Sequence, residues 1–420
     1  MKYLLTLIAA ILLLTSCDKD NDNTGGVISK KRTVIVYMSA ENNLSAIAIS
    51  NLYDMMKGSK GIGSNDNLIV MFDNANSSKK PCIYRVANGD TTAVKVYDSD
   101  FINTDPAKMK EILEWIIDKY PADSYGLVFW GHADGWLVSS DTVKTSTAAS
   151  ASPARVPAKR AYGSDNGKNT QAGGYLINVL SMVSVLSGLP KFEYILWDCC
   201  NMQCVEDAYE FRHVTNYFIA SPAEIPGEGA PYDIIVPDLF NETDTVGRTI
   251  INDYYNYYAR STVFNTALTG KGVPLSVVKC SELESLATIT AAKLATFMPV
   301  VGRYPLVMST DSLVCYYKNG IITLMYDMQG FMKKYLSTMD YMEWKAQYDK
   351  AVISKVISKS WQTDLSIDFT DFSVTDSNCG AMSMFIPLTA YQNYSGDFQY
   401  NELIKKFSWY KVVGWSDYGW

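Results

Sequence analysis

Two apolar stretches, each ending in a reactive side chain, decide how this chain folds. The first reads YGLVFWGHADGW over residues 125–136, and the second reads YILWDCCNM over residues 194–202. Each opens with an uninterrupted apolar run of strand length, which is typical of a strand buried on both faces of a parallel sheet. His132 follows the first run and Cys200 follows the second. Because side chains beyond the carboxyl ends of parallel strands meet at one edge, we expect His132 and Cys200 to lie close together.

The same alternation of strand and helix patterns extends to both sides of these stretches. An Asn-Gly turn at 88–89 predicts a hairpin. The alternation predicts an α/β protein with three layers, in which a mostly parallel central sheet is covered by helices on both faces. The predicted strands are 33–38, 67–72, 82–86, 92–97, 125–130, 194–197 and 217–220, and the predicted helices are 43–56, 105–120, 175–186 and 202–212.

The pattern loosens from about residue 233 onward. Long helical stretches at 246–259, 283–297 and 341–360 are mixed with strand-like stretches at 275–278 and 381–385. We interpret this part as a C-terminal α+β subdomain packed on the core. The predicted division is therefore a core at 33–232 and a subdomain at 233–420.

Composition excludes several classes of function. The 420 residues carry a formal charge of −7, with 48% apolar and 19% charged residues. An acidic chain without a basic footprint argues against a nucleic-acid partner. No apolar run reaches the roughly 18 residues of a membrane-spanning helix, which argues against a multi-span membrane protein.

The N-terminus predicts export. Lys2 precedes an apolar run at 3–14, and residues 14–17 read LTSC. This arrangement is typical of a signal peptide at 1–16 and resembles the bacterial lipobox, which implies cleavage before Cys17 and its lipidation. The alternative is an ordinary signal peptide with a chance cysteine. The polar segment 17–32 reads as a flexible tether, so we expect a lipoprotein of the cell envelope, at the outer membrane or cell surface.

Cys200 and His132 are the residues whose chemistry suggests an active site. A nucleophilic cysteine needs a thiolate, which a nearby imidazole or a helix N-terminus favours. The predicted helix after Cys200 would supply such an N-terminus. The other histidine, His213, falls at the far end of that helix and is more simply a helix-terminal residue. A simpler alternative stays open, because a buried cysteine is usually inert. A metal site is disfavoured because the cysteines near 200 lack a second ligand pair.

The chain resembles the clostripain family of cysteine endopeptidases, which belong to the caspase-like clan. The resemblance rests on WGHADGW at 130–136, DCCNM at 198–202 with Val-Glu at 205–206, and ASPAEIPGEG at 220–229. A strand with the following Asn-Asn-Leu at 34–44 and an aromatic tail at 410–420 also fit. The resemblance implies a caspase-like (caspase-hemoglobinase) α/β/α fold.

The resemblance also implies roles for individual residues. Cys200 would be the nucleophile and His132 the general acid/base of a Cys–His dyad, with backbone N–H groups as the oxyanion hole. Asp198 and Glu224 would select Arg or Lys at P1, the substrate residue before the cleaved bond. The alternative for Asp198 is a cap of the following helix. Ala133 departs from the glycine usual in the family, which puts the oxyanion geometry in question.

The insertion at 139–172 is rich in Ser, Thr, Ala and Pro near its start, which predicts an exposed segment, and the resemblance implies that it holds a self-processing site. The resemblance implies cleavage after a basic residue, and Lys159 and Arg160 are the candidates; an ordinary solvated loop is the alternative. We predict a cysteine endopeptidase acting on peptides with basic P1 residues, and the alternative is an inert caspase-like lipoprotein that serves as a surface binding module. We predict no metal site or cofactor from the residues, and calcium enters by resemblance alone.

Overall fold

The computed structural model describes most of the chain after the tether. The described residues are 30–137, 162–168, 174–241, 246–260, 273–301, 310, 312–319, 322–363, 370–388, 391 and 399–418. Cys17, the signal peptide, most of the insertion and the processing candidates Lys159 and Arg160 lie outside them.

The strands and helices follow the order of the chain. The strands are β1 (Lys30–Ala40), β2 (Asn67–Asn74), β3 (Cys82–Ala87), β4 (Asp90–Val96), β5 (Ala122–Trp130), β6 (Tyr162–Asp165), β7 (Tyr175–Ile177), β8 (Phe192–Asp198), β9 (Thr215–Ala220), β10 (Leu275–Lys279), β11 (Cys315–Asn319), β12 (Ile322–Asp327), β13 (Val352–Val356), β14 (Ser360–Trp361), β15 (Thr370–Asp371) and β16 (Ser383–Met384). The helices are α1 (Ser45–Gly58), α2 (Pro106–Lys119), α3 (Val179–Leu186), α4 (Val205–Phe211), α5 (Tyr232–Ile235), α6 (Val246–Arg260), α7 (Leu283–Val301), α8 (Met328–Tyr335), α9 (Thr338–Ala351), α10 (Tyr400–Leu403) and α11 (Ser408–Val412).

A central sheet organises the described part of the chain. Its strand order is β13-β10-β9-β8-β5-β1-β2-β3-β4. The five inner strands from β9 to β2 run parallel, whereas the two strands at each edge join antiparallel. Chain order reverses between β1 and β5, because β2 follows on one side of β1 while β5, β8 and β9 lie on the other. The crevice beyond the carboxyl ends of β1 and β5 is the place where open α/β sheets bind their ligands.

Alternate residues of β1 pack on opposite faces of the sheet. Val34 and Val36 belong to a core shared with α1, α5 and α6. Ile35 and Tyr37 belong to a second core shared with α2, α3 and α4, as well as much of the chain after 280. Burial on both faces explains why the central strands read as continuous apolar runs. The predicted mostly parallel, three-layer architecture is confirmed.

Predictions from short turn and helix-cap motifs were accurate. Asn88 and Gly89 both adopt positive φ in the predicted hairpin between β3 and β4. Two successive positive φ values are what a tight two-residue hairpin requires. The Asp105 carboxylate accepts from the backbone N–H of Lys108 and caps α2, as predicted.

Three predicted elements differ from the structure. Residues Tyr175–Ile177 form β7 rather than the start of a helix, because they pair with β6 across the insertion. The helix predicted at 341–360 ends at Ala351, and Val352–Val356 forms β13. The helix predicted from Met202 begins at Val205.

The central sheet contains strands from both sides of the predicted boundary at 232/233. The strands β10 and β13 come from the segment assigned to the C-terminal subdomain, yet they complete the central sheet beside β9. The smaller sheet of β11, β12 and β16 lies outside it. No helix in the described ranges is both long and apolar enough to cross a membrane.

Candidate active site

The register of two neighbouring strands places His132 and Cys200 at equivalent positions. Trp130 at the end of β5 pairs with Asp198 at the end of β8. His132 lies two residues beyond the first and Cys200 two residues beyond the second. The Gly131 N–H donates to the Asp198 carbonyl oxygen at 3.4 Å, so the two chains remain hydrogen-bonded as they leave the sheet. The two side chains therefore enter the same edge of the sheet, as the sequence predicts.

A residue from β1's carboxyl end orients the histidine. The His132 Nε2 lies 2.8 Å from the Asn43 Oδ1. In the tautomer whose Nε2 donates to this amide oxygen, Nδ1 is the ring nitrogen left to act as a base. Sequence reasoning missed this role, because nothing in the sequence states that β1 lies beside β5.

The Cys200 sulfur accepts a hydrogen bond from the backbone. The Ile225 N–H points at Sγ over 3.4 Å, and the side chain is only partly buried. A donor aimed at the sulfur favours the thiolate over the thiol. The prediction that a helix N-terminus favours the Cys200 thiolate is wrong. The helix α4 starts five residues after the cysteine, and its first turn carries the buried acids Glu206 and Asp207.

The neighbouring cysteine has a different environment. Cys199 is buried and its thiol lies 3.3 Å from the Phe129 carbonyl oxygen. Burial raises the pKa of the Cys199 thiol well above its ordinary value, which keeps it protonated and unreactive. The Cys199 and Cys200 sulfurs therefore contact different segments of the chain, the first at the end of β5 and the second at Ile225. The other described cysteines, 82, 204, 280, 315 and 379, are buried free thiols.

The backbone around Cys200 is turned tightly. Asn201 has a φ of +63°, a left-handed conformation that asparagine tolerates better than most residues. Its N–H donates to the Ala223 carbonyl oxygen at 2.9 Å. On the histidine side, the positive φ values fall on Gly131 and Gly135, and Ala133 is not among the residues with positive φ. The alanine that departs from the family pattern therefore causes no backbone strain.

The Asp198 carboxylate is enclosed in a hydrogen-bond network. The side chain is 3% exposed, and the Ala230 N–H lies 3.0 Å from both of its oxygens. The hydroxyls of Tyr232 and Tyr254 donate to it at 2.8 and 2.9 Å. Burial raises the pKa of Asp198, while these three donors lower it. Each oxygen accepts two hydrogen bonds, so the acceptor capacity of the carboxylate is used.

This network shows what Asp198 does within the fold. It ties the turn at 226–230 and α6 to the end of β8. It does not cap α4, whose N-cap position is Cys204. A basic substrate side chain could contact this carboxylate directly only by displacing a tyrosine hydroxyl.

Glu224 lies on the segment that contacts Cys200. Its two chain neighbours are Ala223, whose carbonyl accepts from Asn201, and Ile225, whose N–H meets the Cys200 sulfur. The Glu224 side chain is 5% exposed. The structure thus brings both predicted acidic residues to the side of Cys200, one from β8 and one from the loop after β9.

Among the described residues, one group of acids comes close enough together to hold a cation. Glu41, Asp73 and Asp100 bring their carboxylate oxygens to within 4.8 Å of one another. The ammonium of Lys168 lies among them, paired with all three. A calcium ion would fit these acids only after Lys168 had left.

His213 does not join the site. It follows the end of α4 with its side chain 72% exposed, 4.0 Å from a Glu284 oxygen. His132, the other histidine of the chain, is the one that lies at the same sheet edge as Cys200.

The arrangement of a base and a thiol on adjacent strand ends agrees with the comparisons to known proteins. The sequence matches the model of the clostripain family over residues 36–420. The chain belongs to the clostripain family. It is therefore a cysteine peptidase, and the predicted family is confirmed. No curated protein matches the chain.

Solved structures of clostripain-type enzymes share the fold. A secreted C11 cysteine protease from Bacteroides thetaiotaomicron, in complex with an irreversible peptide inhibitor, is 29% identical with a TM-score of 0.72. That match covers 92% of this chain and 99% of the other. A cysteine protease from B. fragilis is 27% identical over 60% of this chain and 98% of the other, with a TM-score of 0.51. An inactive zymogen C11 protease from Parabacteroides distasonis, 24% identical over 91% of this chain and 97% of the other, has a TM-score of 0.70 and supports the fold alone. The predicted caspase-like fold is thus confirmed for this member of the clostripain family.

Proposed function

We propose that this chain is an endopeptidase that cleaves after Arg or Lys, with Cys200 as nucleophile and His132 as general acid/base. The observation that carries the proposal is the register of β5 and β8, which sets both residues at the same distance beyond paired strand ends. The backbone N–H at the Cys200 sulfur and the amide oxygen at the His132 ring support it.

The reaction proceeds in two halves. The Cys200 thiolate attacks the carbonyl carbon, and the His132 imidazolium gives its proton to the departing amine, which leaves a thioester. Water then loses a proton to His132 and attacks the thioester carbon. The carboxylic acid leaves and the thiolate–imidazolium pair is restored.

The first experiment measures hydrolysis of fluorogenic peptides with Arg, Lys, Gln or Asp at P1. Cys200→Ala and His132→Ala are expected to reduce kcat by at least roughly 10²-fold. His213→Ala is the matched control for the histidine, and Cys82→Ala is the control for loss of a thiol. Activity that survives Cys200→Ala would refute the mechanism, and a preference for Asp would refute the basic P1 assignment.

The two acids are proposed to act on the P1 side chain in different ways. Glu224 is proposed to contact it directly, because its neighbours in the chain touch Cys200 and Asn201. Asp198 is proposed to supply negative charge without contacting the P1 side chain and to hold the turn at 226–230. A charge-assisted hydrogen bond contributes about 1.5–3 kcal/mol, so Glu224→Gln is expected to lower kcat/KM for Arg peptides by roughly 10- to 100-fold. Equal losses for Arg and Gln peptides would count against a role in selecting charge.

Self-processing is proposed to occur in the insertion at 139–172, after Lys159 or Arg160. Lys168, another basic residue of this interval, is a poor site because its side chain is held in ion pairs and only 15% exposed. Purified wild type is expected to give two fragments by mass spectrometry, and Cys200→Ala one intact chain. Changing both Lys159 and Arg160 to alanine should block the cut, with Lys144→Ala as control; an unchanged cut would refute the position.

Attachment to the cell envelope through lipidated Cys17 is proposed from the sequence. Metabolic labelling with a radioactive fatty acid should mark the wild type. The Cys17→Ser variant should lose the label and leave the membrane fraction. Labelling that persists in this variant would refute lipidation at Cys17.

A further inference from the structure

The segment that follows the insertion is bound to the strand end that carries the histidine. The Gly163 N–H donates to the His132 carbonyl oxygen at 2.8 Å. The hydroxyl of Tyr162, fully buried, lies 2.9 Å from the Tyr37 carbonyl oxygen and 3.1 Å from that of Trp130. Residues 162 and 163 thus join the carboxyl ends of β1 and β5 where His132 leaves the sheet.

The same segment holds the loop that orients the His132 ring. The Asn42 side-chain N–H donates to the Ser164 carbonyl oxygen at 2.8 Å, and the Asn166 N–H donates to the Glu41 carbonyl oxygen at 3.0 Å. Asn43, the next residue after Asn42, presents its amide oxygen to His132. The position of the Asn43 amide therefore depends on the hydrogen bonds between residues 164–166 and residues 41–42.

Lys168 adds an ionic cluster to these hydrogen bonds. We call Lys168 with Glu41, Asp73 and Asp100 the Lys168 clamp. Its ammonium pairs with Glu41, with Asp73 at 2.6 Å and with Asp100 at 3.1 Å. Its backbone N–H also donates to the Glu41 Oε2 at 2.9 Å. Lys168 has a φ of +63°, a conformation that a non-glycine residue keeps only when its surroundings hold it there. Glu41 and Asp73 are almost fully buried. Burial and the nearby Glu41 raise the pKa of Asp73 to about 8 although the ammonium lowers it, so removing the ammonium disfavours the charged form of Asp73 further.

We propose that Lys168 is a positioning residue for His132, acting through Glu41 and Asn43. The inference rests on the proposed function of His132 as general acid/base. The clamp fixes residues 41–43 and 162–168 as one unit, and this unit holds the ring nitrogen and the carbonyl oxygen of His132. The proposed cut after Lys159 or Arg160 lies before this segment, so the clamp also keeps the new chain end on the core once the insertion is opened.

The test compares Lys168→Met with Lys168→Arg in the full chain. Lys57→Met is the matched control, since Lys57 is an exposed lysine on α1 paired with Asp54. Loss of positioning is expected to lower kcat by roughly ten-fold or more with KM changed less than about two-fold, and arginine should restore most of kcat. A purely structural role predicts normal kcat in whatever fraction of the protein is folded.

A second readout follows the thiol without peptide hydrolysis. Cys200 is the one described cysteine that is not buried, so its alkylation by iodoacetamide against pH reports the thiolate–imidazolium pair. Misplacing the imidazole should raise the midpoint of this profile by at least about half a pH unit in Lys168→Met. Lys57→Met and Lys168→Arg should keep the wild-type midpoint.

The outcomes separate the clamp from the proposed function. A folded Lys168→Met with wild-type kcat and alkylation midpoint overturns the clamp. If that variant does not fold, the double variant Asp73→Asn with Lys168→Met removes one buried acid together with the ammonium. Wild-type values in this double variant, or its failure to fold, overturn positioning as well. Wild type that alkylates normally but cleaves no peptide instead defeats the proposed function.

Discussion

Glu206→Gln is expected to change the pH dependence of stability. Glu206 is fully buried in the first turn of α4, where its Oε1 accepts from the Phe385 N–H at 2.8 Å. Its other oxygen has no hydrogen-bond partner among the described atoms. A full negative charge on such an oxygen is costly, and burial accordingly raises the pKa of Glu206 from 4.5 to about 8. Glutamine has the shape of the neutral acid and keeps the acceptor for Phe385.

The magnitude follows from proton linkage. Because the folded pKa lies above the unfolded one, the folded state retains a proton that the unfolded state releases, so stability falls as pH rises between 4.5 and 8. At about 1.36 kcal/mol per pKa unit, the wild type loses about 2.5 kcal/mol between pH 5 and pH 7 through this one group. The variant lacks this loss, so its free energy of unfolding should gain about 2.5 kcal/mol on wild type over that range.

Urea unfolding followed by tryptophan fluorescence at pH 5, 6 and 7 measures the difference, with midpoints compared at equal m-values. Glu114→Gln, on the exposed face of α2, is the matched control and should follow the wild-type pH dependence. Parallel pH curves for wild type and Glu206→Gln would refute the reasoning, because they would mean that Glu206 is ionised in the folded protein. Peptidase activity at pH 7 should change less than about two-fold, since the hydrogen bond from the Phe385 N–H remains.

Three further changes test other contacts. Asn43→Ala should lower kcat roughly ten-fold, about 1.4 kcal/mol, by freeing the His132 ring, and steady-state kinetics with unchanged KM would show it. Tyr254→Phe removes a donor to the buried carboxylate of β8 and should cost about 1.5–3 kcal/mol in urea unfolding, whereas the neighbouring, half-buried Tyr255→Phe should cost less than about 0.5 kcal/mol. Gly126→Ala would place a Cβ 2.4 Å from a tyrosine hydroxyl of β8 and should lower stability by about 1–3 kcal/mol in the same assay; a change within error would mean that the ring moves freely.

The sheet and the two reactive residues could be predicted because their signals are local. Continuous apolar runs identify the inner strands, and the residues just beyond 130 and 198 follow from chain order. The element boundaries that failed depend on long-range pairing. Tyr175–Ile177 becomes a strand by pairing with β6 on the far side of the insertion, and Val352–Val356 by joining β10. A helical pattern in one segment carries no information about such partners.

The supporting residues of the site could not be predicted for the same reason. Asn43 reaches His132 because β1 and β5 are neighbours, although 89 positions separate the two residues. Lys168 meets Glu41 because the chain returns to the end of β1 after the insertion. Asp198 was recognisable as an acid beside the nucleophile, but its burial depends on two tyrosines from later segments. The sequence shows that these two residues are tyrosines, but it does not show where their hydroxyls point.

The equal two-residue offsets from Trp130 and Asp198 have a consequence for heat inactivation. His132 and Cys200 each follow one paired position of a hydrogen-bonded sheet, so a fluctuation that moves one strand end carries the other with it. A site assembled from independent loops would lose activity well below the temperature at which the protein melts. In this enzyme the proposed dyad should stay aligned until the inner strands separate, so that activity and global structure are lost in a single transition.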